Sequence, residues 1–288
     1  MATTLRTDGS RLADPRLGRI PKFDPRSLNY NIRGLVQEVP QEVQPQHLRS
    51  YTWGDSDHLD QGQCSGCVGF GISGDLAANP VPVHGIDNKY AEEGVYWNIQ
   101  RADDYPGGEY PGASPQSGGT SVTDGMRWAK SQGWYLEYRW ATNELDLAYA
   151  VGHIGPAIIG VNWYESMMDT DKDGNLEISG SVIGGHCVLV RGIHVMSGGK
   201  RRYRIRNSWS AQWGMDGDAW ITSEDMDRLM HEDGEFAIPT RRNPAKLTVV
   251  SDSAMFVQGS TENTVEYKPL WKQQYEAEQT SVTGTPAL

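Results

Sequence analysis

Three short stretches of this chain carry side chains able to do nucleophilic chemistry. The first is Gln61-Gly62-Gln63-Cys64-Ser65-Gly66-Cys67. A thiol in the first turn of a helix feels the positive end of the helix dipole and unpaired backbone N–H groups, and both favour the thiolate. Paired with a histidine, such a sulfur is a competent nucleophile near neutral pH. The backbone N–H of Cys67 would point at a developing oxyanion, and the amide of Gln61, six residues earlier, could return over the turn as a second donor. Removing one donor of this kind typically costs about 100- to 1000-fold in turnover. The second stretch is Gly184-Gly185-His186-Cys187-Val188-Leu189-Val190. Its alternation reads as a strand that presents His186 on one face with Val188 and Val190, while Cys187 points the other way. In the third stretch a strand over Tyr203-Arg204-Ile205-Arg206 ends in Asn207-Ser208-Trp209. The Asn207 amide can accept one imidazole N–H and fix the ring tautomer, and Trp209 can cover that bond from water.

These groups need a scaffold, and the remaining pattern supplies one. The helix beginning near Cys67 carries Gly69, Gly71 and Gly74. Each costs roughly 1 kcal/mol relative to Ala in a helix interior, so neighbours are expected to approach this helix closely and bury it. Further helical patterns run over 88–101, over 121–132 with Gly133 as stop, and over 143–151. Residues 103–120 form a long Gly/Pro/Ser loop of the kind that is often functional. The second half alternates instead: 156–163, 186–193, 203–209 and 218–222 read as strands. Tyr203, Ile205 and Asn207 share one face and Arg204 and Arg206 the other, as in an antiparallel sheet with one buried side. The fold class is therefore α+β, with a helical lobe over about 61–150 and a β lobe over about 151–240. Residues 1–50, with Pro and Arg recurring without period, read as an N-terminal arm. Residues 241–288 read as a C-terminal arm holding one strand (246–250) and one short helix (269–279).

With these residues in this order, the sequence resembles the papain family of cysteine peptidases. In that family His and Asn lie about 130–150 residues beyond the cysteine. Here the separations from Cys67 are 119 for His186 and 140 for Asn207, so the first is a little short and the second fits. The resemblance covers roughly 51–240. It implies a two-lobed fold, a helical left lobe and an antiparallel β-barrel right lobe with the active site in the cleft between them. It assigns Cys67 as nucleophile, His186 as general base and then acid, Asn207 as the orienting residue and Gln61 as oxyanion donor. Gly118-Gly119 is similar to the family's Gly-Gly segment, which hydrogen-bonds a substrate backbone like an added strand; Gly185, Trp209 and Trp213 would line the same cleft. No cofactor is implied, and the substrate would be a peptide or protein. The chain departs from the pattern at Val68, where the family usually has an aromatic, and at Ser65-Gly66, which reverses the usual order. Ser117 stands where secreted relatives have the disulfide partner of Cys64, so Cys64 is expected reduced. The helical pro-segment of eukaryotic relatives is not recognisable in residues 1–50, and the chain looks more like compact bacterial and phage-type members.

Composition narrows the remaining possibilities. The chain has 288 residues, 38% hydrophobic and 22% charged, enough to bury a core without staples. A net charge of −11 opposes general nucleic-acid binding, and no apolar run approaches the length of a membrane helix. No apolar segment marks the N-terminus as a secretory signal, and three cysteines are too few for a disulfide framework. The expected location is cytoplasmic or virion-associated, with the arms docking on partner subunits of an assembly. Cys64 and Cys67 form a CxxC pair, but no thioredoxin-like βαβ pattern surrounds them. A zinc site would need His186 and Cys187 to face the same way, which adjacent strand residues do not. Asp169-Thr170-Asp171-Lys172-Asp173-Gly174-Asn175 matches the first half of a calcium loop, yet Gly180 stands where its bidentate Glu belongs. Two rival functions remain: a catalytically silent papain-like component of a larger assembly, or a cell-wall-directed Cys-His amide hydrolase.

Overall fold

The computed structural model describes residues 14–22, 24–37, 48–55 and 58–249. Among the described residues six α-helices appear: α1 (Arg33–Gln37), α2 (Cys67–Ala77), α3 (Trp97–Ala102, continuing a π-helical turn over Tyr90–Tyr96), α4 (Val122–Ser131), α5 (Glu144–His153) and α6 (Ser223–His231). The strands are β1 (Tyr51–Thr52), β2 (Tyr135–Trp140), β3 (Ala157–Tyr164), β4 (Val182–Val195), β5 (Arg201–Arg206), β6 (Asp218–Thr222) and β7 (Glu235–Arg242). Helix starts are chemically marked. Ser121 and Asn143 accept the backbone N–H groups of Asp124 and Asp146, and Thr222 does the same for Asp225.

The strands form one antiparallel sheet in the order β2-β7-β3-β4-β5-β6, with β1 added beside β4. Among the described residues β2 and β6 do not pair, so the right lobe is an open sheet and not the closed barrel expected. The lobe boundary also differs. Strand β2 comes from the helical half of the sequence and pairs with β7, which itself runs to Arg242, past the expected end of the domain. Pro239 in β7 sits where β3 no longer pairs with it, so no ladder bond is lost on that side. The predicted strand at 246–250 is reduced to a single bridge between Thr248 and His84, and the predicted helix at 269–279 lies outside the described residues.

Two cores flank the sheet. On one face Val188, Val190, Ile159, Trp163 and Tyr203 meet α5 and α6. On the other, Cys187, Leu189 and Ile158 meet α2 and α4 through Val68, Ile72 and Met126. The alternation of β4 thus sends His186 and Val188 to one side and Cys187 to the other, as its spacing predicts. Helix α2 is buried nearly all round, which fits its glycines. A Cβ at residue 69 would lie 2.7 Å from the Cα of Tyr96, so only glycine lets the π-helical turn pack there. Gly74 has no comparably tight neighbour, so the same argument does not extend to it.

Candidate active site

Cys67 is the first residue of α2, and its side chain is wholly buried. The sulfur is approached by the backbone N–H groups of Cys187, Val68 and Gly18. The Cys187 contact brings the thiol against the peptide next to His186, so α2 and β4 meet in one crevice. His186, also wholly buried, stands edge-on to Trp163 with ring centroids 4.7 Å apart, and its ring lies tilted against Trp209 at 4.7 Å. Its Nε2 donates to Oδ1 of Asn207 over 2.8 Å. That oxygen also accepts the Ser208 N–H at 2.8 Å, which fixes the amide with its oxygen inward. Nε2 therefore carries the proton, and Nδ1 is left with no hydrogen bond of good geometry. Gln61 is held by two bonds to Ser208, its N–H to the Ser208 carbonyl at 2.9 Å and its Oε1 accepting the Ser208 hydroxyl at 2.7 Å. The amide nitrogen is thereby aimed inward, donating to the Cys64 carbonyl at 2.8 Å and the Arg16 carbonyl at 3.1 Å.

Arg16 belongs to the arm, and its position was not foreseen. Residues 14–22 thread the crevice between the two lobes. The Arg19 N–H donates to Gly185 O at 3.0 Å on the sheet side; on the helical side Thr120 N donates to Gly18 O at 3.0 Å and Ile20 N to Thr120 O at 2.9 Å. Gly119, at φ +93°, makes room: a Cβ there would meet the Gly18 carbonyl at 2.2 Å. The Arg16 guanidinium covers Trp209 at 4.1 Å. Further along, Lys22 pairs with Asp124 at 2.8 Å and Asp104 at 2.9 Å, and Asp24 pairs with Arg127 at 2.7 Å. A sequence with no recognisable pro-segment nevertheless places its own chain across the thiol.

The arm changes the electrostatics expected of the site. Burial pushes the Cys67 thiol up to about 11, against the smaller opposing influence of the three N–H groups. Burial likewise lowers His186 to about 4, although Asn207 and the Arg16 backbone favour its charged form. With the arm seated, burial disfavours the charged form of both sulfur and imidazole, because a charge on either would be formed in a dry crevice. The helix-start argument for a low thiol pKa is outweighed in this state.

The other candidate residues fall as follows. Gly118 is buried between residues whose carbonyls accept the Gln100 amide, and the Gly119 N–H donates to the Tyr96 hydroxyl at 2.8 Å. That hydroxyl donates in turn to Glu109 at 2.9 Å, whose carboxylate also takes the N–H and hydroxyl of Ser65. Tyr96 and Glu109 thus tie the Gly-Gly segment to the turn before Cys67. Their only sequence sign was membership of a helix and of the long loop. Trp213 is 7% exposed and packs on Trp209 and Trp163, donating its indole N–H to the Met168 carbonyl. The Val68 side chain is buried in the core formed by α2, α4 and the sheet, in the same cluster as Cys67 and Cys187. All three cysteines are free, and burial raises the Cys64 thiol far above its ordinary value. In the 169–175 loop Asp171 is occupied by the loop's own Asp173 and Asn175 N–H groups at 2.8 Å. Among the described residues no group of three or more His, Cys, Asp or Glu is arranged to hold a metal ion, and no helix is long and apolar enough to cross a membrane.

A buried thiol at a helix start, a strand-borne His–Asn pair and a helix-on-sheet fold define a class, and comparison with known proteins agrees. Residues 83–233, just over half of the chain, match the family described as papain family cysteine protease. The chain therefore belongs to the papain family. The match includes His186 and Asn207 and begins downstream of Cys67. Among solved structures, xylellain, a cysteine protease from Xylella fastidiosa, is similar in fold at a TM-score of 0.53 and 14% identity, covering 81% of this chain and 99% of its own. Recombinant stem bromelain precursor (TM-score 0.44, 16% identity, 83% and 81% covered) and digestive procathepsin L2 proteinase from Tenebrio molitor (0.41, 17%, 79% and 76%) are more distant in shape. No curated protein sequence matches the chain.

Proposed function

We propose that this chain is a cysteine endopeptidase that hydrolyses peptide bonds through Cys67, His186, Asn207 and Gln61, and that residues 14–22 hold it latent. The observation that carries the reading is the Arg16 carbonyl received by the Gln61 amide, with the Gly18 N–H of the same arm against the buried Cys67 thiol and the imidazole tethered to Asn207. A carbonyl in that position is where a scissile one would sit. Once the arm leaves, water returns and the charged forms become accessible. The Cys67 proton passes to Nδ1 of His186 and the sulfur attacks the carbonyl carbon. The oxyanion is received by the Gln61 amide and the Cys67 N–H. Collapse breaks the C–N bond, and the imidazolium gives its proton to the departing amine. Water, deprotonated by His186, then cleaves the thioester to release the acid and restore the thiol. The arm-held state also accounts for a site that is chemically quiet as it stands. In a chain whose arm has been displaced by Arg19→Glu, which sets two carboxylates against each other at Glu235, adding Cys67→Ala is expected to abolish cleavage of unfolded protein and active-site alkylation by iodoacetamide while leaving the melting transition in place. Undiminished turnover in that variant would end the proposal.

A further inference from the structure

On the helical side the arm is gripped by backbone alone. The Thr120 N–H donates to the Gly18 carbonyl at 3.0 Å, and the Thr120 carbonyl accepts the Ile20 N–H at 2.9 Å. The two residues before it are glycines, and Gly119 stands at φ +93°, so no side chain of the segment itself fixes the direction of these groups. The Gly119 carbonyl and the Thr120 N–H belong to one peptide plane and point in opposite directions. Behind that plane the Gln100 amide donates to the Gly119 carbonyl at 3.2 Å and to the Ser117 carbonyl at 3.2 Å, while its oxygen accepts the Glu109 N–H at 2.8 Å. Both donors and the acceptor of the side-chain amide are thus in use. The preceding plane is held in the same way, the Gly119 N–H donating to the Tyr96 hydroxyl at 2.8 Å. That hydroxyl gives its own proton to Glu109 at 2.9 Å, which leaves its lone pairs for Gly119. Tyr96 and Gln100 are both buried and stand four residues apart, about one helical turn, on a shared face. Tyr96 is itself seated against α2, where a Cβ on Gly69 would come within 2.5 Å of its Cβ.

We propose that Gln100 and Tyr96 are positioning residues that aim the Thr120 backbone at an extended peptide: the arm and, resting on the peptidase reading above, a substrate strand in its place. Burial alone requires that such polar groups find partners. What exceeds that requirement is where the bonds fall, on the N–H and the carbonyl of the one glycine next to Thr120, from the side opposite the arm. The helix side of the segment is thereby saturated, and the Thr120 N–H and carbonyl are the pair left facing the crevice. Without Gln100 the 119–120 peptide plane loses the bond that opposes the Thr120 N–H, and a glycine on one side of it offers little resistance to rotation. The hydrogen bonds of Gln100 and Tyr96 go to the 109–119 loop and not to the arm, so both act through the backbone they hold.

The test uses the full chain carrying Arg19→Glu, whose own arm is driven off because Arg19 otherwise donates to Oε2 of Glu235 at 3.0 Å. A synthetic, end-capped peptide of residues 14–22 is titrated in. Its protection of Cys67 from iodoacetamide, read by peptide mass against the unprotected rate of the same chain, gives the concentration for half protection. Adding Gln100→Met, which keeps the length of the side chain and removes its amide, is expected to raise that concentration about 10-fold. A second peptide with an ester in place of the Arg19–Ile20 amide lacks the N–H that Thr120 accepts. It should bind about 10-fold worse than the first to the chain with Gln100, and no more than about 2-fold worse to the Gln100→Met chain, because the two losses are coupled through one backbone segment. If a urea titration shows that Gln100→Met does not fold, Tyr96→Phe takes its place with the same outcomes expected. Equal half-protection concentrations with and without the substitution, or an equal ester penalty in both chains, would show the two side chains to be filling for the loop and overturn the proposal. Cleavage of unfolded protein is followed on the same chains: a rise in KM larger than any fall in kcat extends the positioning to substrate, and a fall in kcat alone overturns that extension. Absence of cleavage by the Arg19→Glu chain, with protection behaving as stated, would end the peptidase reading and leave the seating of the arm standing.

Discussion

Acid should loosen the arm, and the structure sets both the sign and the size of the effect. Burial lowers His186 to about 4 with the arm seated, and full hydration on release would return it to its ordinary 6.5. Its closed-state pKa is depressed, so its contribution to closure is complete above pH 6.5 and is lost as pH falls toward 4. For one proton with these two values, lowering the pH from 7.5 to 5 raises the open fraction by about 30-fold, close to 2 kcal/mol. The groups that face the ring are Asp14 and Arg16 of the arm, Asn207, Trp163 and Trp209. Asp14 is held below the usual carboxylate range, although burial alone would raise it, because Arg16 bonds to it, and so it stays charged across this window. Asp103, which burial raises to about 6, accepts from Thr120 beside the arm and works in the opposite sense. The diagnostic is therefore a difference between variants. Hydrogen exchange of the Arg19 and Ile20 amides, corrected for intrinsic rates, should lose about 30-fold more protection on acidification in the wild type than in His186→Gln. Equal losses in the two proteins would refute the claim that the arm excludes an imidazolium.

Three further outcomes follow from individual contacts. Asn207→Ala should leave a partial activity, since the amide orients the imidazole and carries no proton; a variant as inactive as Cys67→Ala would show a larger role. Tyr96→Phe removes the acceptor of the Gly119 N–H and one partner of Glu109, and should cost about 1–3 kcal/mol in a urea titration. Asp218, wholly buried, pairs with Arg191 at 2.5 Å and with Arg204 and Arg206 at 2.6 Å. Asp218→Asn should therefore destabilise the fold by about 3–5 kcal/mol, visible in the urea midpoint. Burial opposes ionisation there, yet the arginines hold this carboxyl below its ordinary value, so its contribution to stability is present above pH 3.8 and lost below.

The chemistry-bearing residues were legible because each sits on a local pattern. The α2 start, the alternation through His186 and the strand end at Asn207 are readable within a dozen residues; the structure bonds His186 to Asn207 and sets the Cys67 thiol against the Cys187 N–H of the same strand as His186. The sheet was less so. Strand β2 has mixed burial along its length, and β7 begins with a charged residue and contains Pro239, so neither carries a clean period-2 signal. Their pairing moves the lobe boundary and leaves the sheet open, because sheet closure depends on which edges meet and not on any strand's own pattern. Glu235 and Arg19 were invisible for a related reason. A lone charge reads as solvated until its partner, more than two hundred residues away in the chain, is known. The arm shows the same limit: a turn over 14–17 is closed locally by the Leu17 N–H on the Asp14 carbonyl, but the bridges at Gly18 and Arg19 are made to Gly185 and Thr120, far away in the chain.

Because plug and cleft belong to one polypeptide, the blockade has no concentration. Dilution cannot wash it out, and crowding cannot tighten it, for the encounter is between two parts of a single molecule. A cut anywhere between the arm and α2 converts the same residues into a separate inhibitor that must compete by mass action. The covalent tether, and not any new contact, is what separates a permanently shielded thiol from one protected only while its guard is abundant.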